Sequence, residues 1–375
     1  MTTKKHKFQI TSEKLLESAG ISINGDNPWD MKVHDDRLYA RVFAEGSLGL
    51  GEAYMDGWWD SDQLDELISR CMAAKLTEQI PRNFKTLMLY TQARFANRQS
   101  KSRAFIAADV HYDLGNDLFA GTFDSRLTGS CGYWAEADEL DASQDAKLDL
   151  ICRKIGLKKG DRVFDIGCGW GAFMGYAAEK YGAICEGVTV SKEQVAYIHD
   201  RYADLPVKAT LADYRDAQGQ FDHIVSMGMF EHVGPKNYRT YFETAHRLLK
   251  ENGFFLLHTI GGQGSTDQID PWLDKYIFPN GVLPSLKQVG ESIEGLFMVE
   301  DLHNFGADYD KTLMAWHYKF ESNWPTLSQN YDERFRRMWN YYLLACAGGF
   351  RARHIQLWQF VLAKRGIPGG YISVR

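Results

Sequence analysis

The sequence has no Cys-x-x-Cys pair and no histidine spacing suited to a structural zinc, although it contains six cysteines. These cysteines are scattered along the chain, so we expect free thiols in a reducing compartment and no metal site. No run of residues approaches the roughly 18 apolar positions that a membrane-spanning helix needs. The basic start is not followed by an apolar stretch of signal-peptide length. The sequence therefore predicts a cytoplasmic protein whose membrane contact would be peripheral.

Acidic residues are missing from one stretch, although they outnumber basic residues overall and the net charge is −6. Between Glu78 and Asp109 the charged residues are all basic: Arg82, Lys85, Arg94, Arg98, Lys101 and Arg103. We call residues 82–103 the basic segment. Apolar residues recur at helical spacing over 84–98, which predicts a helix with an apolar stripe. Packing on its own domain and contact with a membrane surface both fit this pattern. The acidic net charge argues against a nucleic-acid partner.

The chain is long enough for a catalytic domain and a smaller appendage. It has 375 residues, of which 45% are hydrophobic and 25% charged, so a full core can be buried. Short helical patterns and a glycine-rich turn region ending in Trp58 and Trp59 predict a small, mainly helical N-terminal domain over residues 1–96. We expect this domain to contact lipid or the membrane. A polar linker over 97–106 and a catalytic domain over 107–375 would follow.

The rest of the chain alternates strand and helix signals, which predicts an α/β fold with a largely parallel sheet covered on both faces. The predicted strands are 162–167, 183–188, 207–211, 221–227 and 254–260, with a further strand near Phe297. The helix after Pro235 is expected to stop at Asn252-Gly253. About forty residues without alternation follow the fifth strand, and an insertion of that length beside a sheet is usually functional.

The first predicted strand runs into a glycine-rich turn, VFDIGCGWG at 163–171. Its spacing is G-x-G-x-G, whereas dinucleotide folds use G-x-G-x-x-G. The motif resembles the first motif of class I S-adenosylmethionine (SAM)-dependent methyltransferases. The resemblance implies that Gly167 and Gly169 line the methionine part of SAM and that Asp165 stabilises the loop. It also places Cys168 and Gly171 in the cofactor set.

The second strand departs from the common pattern of these methyltransferases, in which an acidic residue ends the strand and binds the ribose. Glu186 is followed by three more strand residues, so its carboxylate lies early in the strand. Resemblance to the lipid-modifying subfamily assigns Thr189 and Gln194 to SAM instead. The same resemblance assigns Tyr214 and Arg215 to the adenine region.

Five further segments carry a narrower resemblance: HYDLGNDLF (111–119), GSCGYW (129–134), GMFEHVGPKNY (228–238), LLHTIGG (256–262) and NFGADYDKTL (304–313). With the glycine motif, they resemble cyclopropane fatty acid synthases and the related mycolic acid cyclopropane synthases. EGSLGLGEAYMDGWW at 45–59 resembles the N-terminal domain of the phospholipid-acting branch, so coverage is nearly complete. The resemblance implies methylene transfer from SAM to a cis double bond of an unsaturated phospholipid in the membrane. It also places Ser130 at SAM.

Ring closure needs a base, and the resemblance implies a bound bicarbonate ion in that role. The implied ligands are the side chains of Cys131, Glu231, His258 and Tyr309 with the backbone of Ile260. Glu231 follows the fourth strand and His258 ends the fifth, and these strands are neighbours in a sheet ordered 3-2-1-4-5. We therefore expect both to face the crevice of the glycine loop. Aromatic residues that could surround a carbocation are Tyr112, Tyr133, Trp134, Phe230, Tyr276, Phe278, Phe305 and Tyr309.

Two alternatives stay open at this point. One is a different SAM methyltransferase that methylates a lipid amine or another heteroatom, for which the bicarbonate ligands would be unnecessary. The other is a non-catalytic lipid-binding protein that has kept the fold. The glycine spacing argues against an NAD-dependent oxidoreductase. Peripheral attachment to the inner face of the membrane and a homodimer are further expectations that the sequence leaves open.

Overall fold

A computed structural model describes residues 7–76 and 115–375 of the chain. The basic segment and the expected linker over 97–106 lie outside the described residues, and so does Tyr112. The helix predicted over 84–98 and the domain boundary therefore stay predictions. Within 7–76 and 115–375, no helix is long and apolar enough to cross a membrane.

The N-terminal region consists of short helices and one small hairpin-like pair of strands. The elements are α1 Lys7–Ser18, β1 Lys32–Val33, α2 Arg37–Glu45, α3 Ser47–Met55, β2 Trp59–Asp60 and α4 Leu64–Ala73. β1 pairs antiparallel with β2. Gly46 separates α2 from α3 and has a φ of 62°, a backbone angle that side chains other than glycine rarely adopt. The mainly helical character predicted for this region is confirmed.

A seven-stranded sheet forms the centre of the catalytic region. Its strands are β3 Arg162–Ile166, β4 Ile184–Thr189, β5 Val207–Leu211, β6 Phe221–Met227, β7 Leu249–Gly262, β8 Met298–Asn304 and β9 Ile355–Ala363. Their order is β5-β4-β3-β6-β7-β9-β8. The first five are parallel, which confirms the predicted 3-2-1-4-5 order, and β9 runs antiparallel between β7 and β8.

Helices cover both faces of this sheet and extend beyond it. They are α5 Asn116–Thr122, α6 Leu140–Lys154, α7 Ala172–Tyr181, α8 Lys192–Arg201, α9 Tyr238–Leu248, α10 Pro271–Tyr276, α11 Leu286–Ile293, α12 Ala307–Leu327 and α13 Glu333–Arg351. The predicted end of α9 at Asn252-Gly253 is wrong. α9 stops at Leu248, because Leu249 is already paired with Phe221 and starts β7.

The N-terminal helices share one hydrophobic cluster with the C-terminal helices α12 and α13. Trp59 and Leu67 belong to the same cluster of buried residues as Trp316 and Trp339. Ion pairs link the same two regions, with Arg351 Nη2 2.6 Å from Asp65 Oδ2. The N-terminal region is therefore packed against the helices that lie beside the site, and its core is continuous with theirs.

Candidate active site at the carboxyl edge of the sheet

The glycine-rich turn between β3 and α7 lies where the sheet order reverses, beside the carboxyl ends of β3, β4 and β6. Gly167, Gly169 and Gly171 have φ values of 84°, 52° and 78°. The amides of Gly167 and Cys168 both donate to the carbonyl of Val188, at 3.1 and 3.0 Å. A β-carbon on Gly167 would come within 2.6 Å of Met229 Cγ. The turn is therefore folded tightly against β4, and glycine is required there for both conformation and space.

A cavity of about 250 Å³ opens at this turn. Eight of the ten residues predicted to bind the cofactor line it: Ser130, Gly167, Cys168, Gly169, Thr189, Gln194, Tyr214 and Arg215. Asp165 and Gly171 do not line the cavity. Gly171 directly precedes α7 and lies against Ile198 of α8. The structure thus places most of the predicted set around one space, and their contact with a cofactor stays a prediction.

Thr189 and Gln194 form the polar wall of the cavity at the end of β4. The Thr189 hydroxyl donates to Gln194 Oε1 at 2.6 Å, and the Ser191 side chain caps α8 by accepting from the backbone N–H of Gln194. The Gln194 Nε2 group is buried and has no hydrogen-bond partner among the described residues. Glu186 does not reach this wall, because Arg162 Nη2 holds its carboxylate at 2.6 Å. The unpaired side-chain NH2 group of Gln194 is therefore the donor that a ligand here could use.

Arg215 also lines the cavity, and its guanidinium is already paired with Asp213. Its guanidinium donates to both carboxylate oxygens of Asp213, at 2.7 and 2.6 Å. The guanidinium carbon also lies 5.4 Å from the ring centre of Tyr214. This arrangement leaves a flat, nearly neutral surface, which suits a planar ring better than a charged group.

Asp165 is a buried carboxyl group at the end of β3, next to the turn. Its side chain is 1% exposed, and neither carboxylate oxygen has a hydrogen-bond partner in residues 7–76 or 115–375. Burial raises the pKa of this carboxyl to about 7, although the nearby ammonium group of Lys147 lowers it. Its predicted role in stabilising the loop stays a prediction, because the carboxylate reaches no loop amide.

We call the five residues predicted to hold bicarbonate the polar cluster; Tyr309 interacts electrostatically with both Cys131 and Glu231. Cys131 precedes α6, Glu231 lies in a 3₁₀ turn after β6, His258 and Ile260 are on β7, and Tyr309 is in the first turn of α12. The Ile260 amide donates to Glu231 Oε1 at 2.7 Å. A bound anion would therefore share this amide with Glu231, which sequence reasoning did not foresee.

Two polar atoms of the cluster are buried without a partner in the described part of the chain: Glu231 Oε2 and His258 Nε2. Burial raises the pKa of Glu231 to about 7. It lowers the pKa of His258 well below its usual range, and the ammonium groups of Lys147 and Lys154 act in the same direction. Burial also raises the pKa of Tyr309 and Cys131. Histidine, tyrosine and cysteine are thus neutral near pH 7, and only Glu231 is poised to change charge.

The polar cluster adjoins the cavity, but none of its members lines it. Cys131 follows the lining residue Ser130, Glu231 precedes the lining residue His232, and His258 pairs in register with the lining residue Met227. Among the described residues, Glu231 and His258 therefore do not line the cavity of the glycine turn, where the sequence led us to expect them, although neighbours of both in the chain or the sheet do.

The aromatic residues around the cavity differ from those predicted. Phe278 was predicted and lines it, as does Tyr214 from the predicted cofactor set, but five other aromatic lining residues were missed: Phe119, Phe123, Trp170, Trp339 and Tyr342. Phe305 lies instead against the polar cluster, with its ring centre 5.9 Å from that of His258. Phe230 packs on Tyr238 in a core behind the sheet. α5 and α13 supply much of the apolar wall, and their helical spacing alone could not indicate which core they face.

Sequence reasoning also missed two buried lysines on α6. Lys147 Nζ donates to Ser130 Oγ at 2.9 Å, and Gln144 Nε2 donates to the Ser130 carbonyl at 2.7 Å. Lys154 lies two turns further along and is also buried. The signal that could have revealed them is their spacing of seven residues on the apolar face of an otherwise amphipathic helix.

The fold is that of the class I SAM-dependent methyltransferases. A solved structure of coclaurine N-methyltransferase bound to N-methylheliamine and S-adenosylhomocysteine (SAH) matches 84% of this chain and 99% of that chain, with a TM-score of 0.69. The two sequences are 23% identical, so this likeness shows the fold alone. The glycine turn lies at the switch point of the sheet, where such folds bind their ligands.

The sequence model described as "Mycolic acid cyclopropane synthetase" matches residues 99–360, and the chain belongs to this family. Cyclopropane-fatty-acyl-phospholipid synthase of Escherichia coli K12 is 53% identical over 97% of this chain and 94% of its own length. Tuberculostearic acid methyltransferase UfaA1 of Mycobacterium tuberculosis is 33% identical over 95% of this chain and 88% of its own length. The solved structure of cyclopropane synthase CmaA1 with SAH and CTAB is 34% identical, has a TM-score of 0.64 and covers 69% of this chain and 97% of that chain.

Proposed function

We propose that this enzyme transfers a methylene group from SAM to the cis double bond of an unsaturated phospholipid acyl chain and so forms a cyclopropane ring. Membership of the family and the likeness to the Escherichia coli relative over nearly the whole chain support the reaction type. One observation carries the chemical argument. A cavity at the glycine turn adjoins a buried cluster whose Glu231 Oε2 and His258 Nε2 lack partners among the described residues.

The cavity residues fit SAM. The turn at Gly167 and Gly169 lets a ligand approach the backbone closely, and SAM has no phosphate that would need a further glycine. The unpaired Gln194 amide can donate to a polar group of the ligand, and the face of the Tyr214–Arg215 pair can receive the adenine. These residues would hold SAM, which would supply the methyl group.

Apolar and aromatic surroundings suit the first step, in which the alkene takes the methyl group. An alkene is a weak nucleophile, so the sulfonium has to be close, in line and shielded from water. The carbocation that forms would cost tens of kcal/mol in an apolar pocket without compensation. Aromatic faces contribute about 0.5–2 kcal/mol each, so Phe278 and the other rings of the wall can offset only part of that cost. A nearby negative charge is therefore needed as well.

The polar cluster fits a small anion such as bicarbonate. Neutral His258 and Tyr309 can donate hydrogen bonds, while Glu231 Oε2 can accept one. The Cys131 thiol already donates to the Gly132 carbonyl at 3.1 Å and would have to turn to reach an anion. An anion that both accepts and donates would satisfy the two unpaired atoms together. Bicarbonate bound there would supply the base for the proton that the transferred carbon loses on ring closure. In this arrangement Glu231 orients the ligand through Oε2, while Ile260 fixes Oε1.

Access to the substrate requires the enzyme to work at a membrane surface. Each buried acyl methylene contributes about 0.8 kcal/mol, so extracting a whole chain into water would cost on the order of 10 kcal/mol. We infer that the N-terminal region and the basic segment hold the enzyme on the inner membrane face, at about 1 kcal/mol per Lys or Arg. Reversing the charges of Arg94, Arg98 and Lys101 should then weaken binding to anionic vesicles and lower activity. Unchanged vesicle binding would refute the role of this segment.

A homodimer stays an open prediction for sedimentation measurements.

The reaction is tested by incubating the protein with SAM and vesicles of an unsaturated phospholipid, followed by analysis of the fatty acid methyl esters. The expected product has gained one CH2 and lost its alkene signal. Vesicles of a saturated phospholipid are the control and should give no product. The likeness to UfaA1, which is named a methyltransferase, makes methyl transfer to the acyl chain without ring closure the competing outcome. Branching, methylation of a head-group amine or absence of turnover would each refute ring formation.

A further inference from the structure

Lys154 is a buried cation directed at the interior of the sheet. Its side chain lies at the end of α6 and is wholly buried. The ammonium Nζ donates to Gln359 Oε1 at 2.8 Å and lies 3.1 Å from His303 Nδ1. The nearest carboxylate oxygen, Asp301 Oδ2, is 4.0 Å away. The closest oxygen to this cation is therefore that of a neutral amide.

Neutralising Asp301 does not account for the position of Lys154. Arg375 Nη1 and Nη2 already donate to the two oxygens of Asp301, at 2.5 and 2.8 Å. Taking an ammonium group out of water costs several kcal/mol, and an apolar side chain of similar size would avoid this cost. The shortest contact of the Lys154 ammonium is the hydrogen bond that it donates to Gln359 Oε1.

Gln359 connects Lys154 to the polar cluster. It lies on β9 directly opposite His258 in the antiparallel ladder with β7, and its side chain is fully buried. Gln359 Nε2 lies 3.1 Å from His258 Nδ1. A lysine ammonium can only donate, so the oxygen of the amide has to face Lys154 and its NH2 group has to face the histidine.

The orientation of this amide decides where the histidine carries its proton. Because Gln359 donates to Nδ1, that nitrogen is an acceptor, and the proton of the neutral ring is on Nε2. Nε2 is the His258 atom that has no partner among the described residues. The free side of the ring therefore presents a hydrogen-bond donor to the cluster.

We propose that Lys154 and Gln359 are positioning residues that hold His258 as its Nε2–H tautomer, so that this nitrogen donates to an anion bound in the polar cluster. The part that concerns the anion rests on the proposed function. The tautomer itself follows from the contacts of the three side chains and stands without it.

Nitrogen-15 NMR of histidine-labelled full-length protein at pH 6 tests the tautomer directly. This pH is below the value of about 7 to which burial lowers the pKa of Lys154, so the lysine is charged. A His258→Asn variant identifies the His258 signals. The wild type should show the Nε2–H form of a neutral ring. A His258 ring protonated on Nδ1, or on both nitrogens, would overturn the proposal without any further variant.

Gln359→Glu should invert the arrangement. A carboxylate accepts from Nδ1–H and at the same time pairs with Lys154, so His258 should switch to the Nδ1–H form or become charged. Gln356→Glu is the matched control, because Gln356 lies three residues earlier on β9 and its amide bonds to Arg353 and Asn304 instead. The control should leave the His258 signals unchanged. An unchanged tautomer in folded Gln359→Glu would contradict the proposed role of Gln359.

Turnover and SAM binding separate positioning from general damage. Gln359→Glu should lower kcat at least about tenfold, the effect typical of supporting hydrogen bonds around a site, while the Kd for SAM changes less than about twofold. Equal losses in both would refute positioning. Lys154→Met should give a mixture of the two tautomers, and an unchanged Nε2–H form would remove Lys154 from the proposal. If the wild type makes no ring product but shows the Nε2–H form, the proposed function fails and the tautomer assignment stands.

Discussion

The cofactor cavity and the polar cluster are neighbours, yet they are built in different ways. The cavity depends on backbone conformation: a glycine turn with three left-handed residues, folded onto the end of β4. The cluster depends on side chains from four separate elements, and burial shifts the pKa of its members. Under the proposed function, SAM binding would depend on a turn that one short stretch of sequence specifies, whereas proton transfer would depend on contacts between distant parts of the chain.

Asp165 is part of the glycine motif that forms the cavity, but its buried environment resembles that of the polar cluster. It is as buried as His258 and lacks any hydrogen-bond partner among the described residues. Lys147 connects the two regions, because it contacts Ser130 of the cavity and contributes to the electrostatic environment of Asp165, Cys131 and His258. The comparison therefore predicts that substitutions in each region will affect different measurements.

The largest effect is expected in the polar cluster. Glu231→Gln replaces the unpaired carboxylate oxygen of the cluster with a donor, and His258→Ala removes a donor, so kcat should fall about 10²- to 10⁴-fold. The Kd for SAM, measured by calorimetry, should change less than about threefold. Glu251→Gln, an exposed change on the same strand as His258, should leave both values unchanged. Parallel losses in kcat and SAM affinity would mean that the cluster belongs to the cofactor site.

Asp165→Asn should make the protein more stable at high pH. The pKa of this carboxyl rises from 3.8 to about 7 on folding, so the native state loses stability as pH increases through that range. At pH 8 the cost is about 4 kcal/mol, from 1.36 kcal/mol per pH unit, and at pH 5 it is much smaller. Urea unfolding should therefore show a gain from Asp165→Asn that shrinks as pH falls.

Asp222→Asn provides a control of opposite sign for this measurement. Burial alone would raise the pKa of Asp222, but hydrogen bonds from Lys250 and from the Arg162 amide outweigh it and leave the pKa lowered. Its carboxylate therefore stabilises the native state above the usual carboxyl pKa, and Asp222→Asn should reduce stability at pH 8. A loss of stability in both variants would refute the environment assigned to Asp165.

Gly167→Ala should weaken SAM binding about tenfold or more. The substitution combines a strained φ of 84° with a β-carbon 2.6 Å from Met229 Cγ in the cavity wall. Gly156→Ala separates the two causes, because Gly156 has a φ of 63° but its β-carbon would meet nothing within 4 Å. Both variants should lose about 1–2 kcal/mol of stability, and only Gly167→Ala should change the Kd for SAM. Equal Kd values would show that the close approach at Met229 is unimportant.

The smallest effect is expected at Glu186. Its carboxylate is paired with Arg162 away from the cavity, so Glu186→Gln should change the Kd for SAM less than about twofold. Gln194→Leu removes the unpaired buried side-chain amide. It should weaken the free energy of SAM binding by about 1 kcal/mol or more, the typical contribution of one hydrogen bond. The reverse ranking would mean that Glu186 contacts the ribose after all.

Several features of the fold could be predicted because their signals are local. The alternation of strands and helices indicated the first five strands, and the handedness of crossover connections restricts their order. The end of α9 could not be placed, because Asn252 and Gly253 look like a helix stop. Pairing of Leu249 with β6 ends the helix earlier, and that contact is not visible in the sequence of the helix itself.

The sequence by itself determined where the glycine turn lies and which family the motifs resemble, since a turn and a motif are properties of consecutive residues. Only the tertiary structure decided that His258 faces Gln359, 101 residues away, and that Gln359 faces Lys154, 205 residues away. These contacts arise when β9 pairs with β7 and the end of α6 brings Lys154 to Gln359. No local pattern specifies them, because the direction of each hydrogen bond depends on which donors and acceptors burial leaves facing one another.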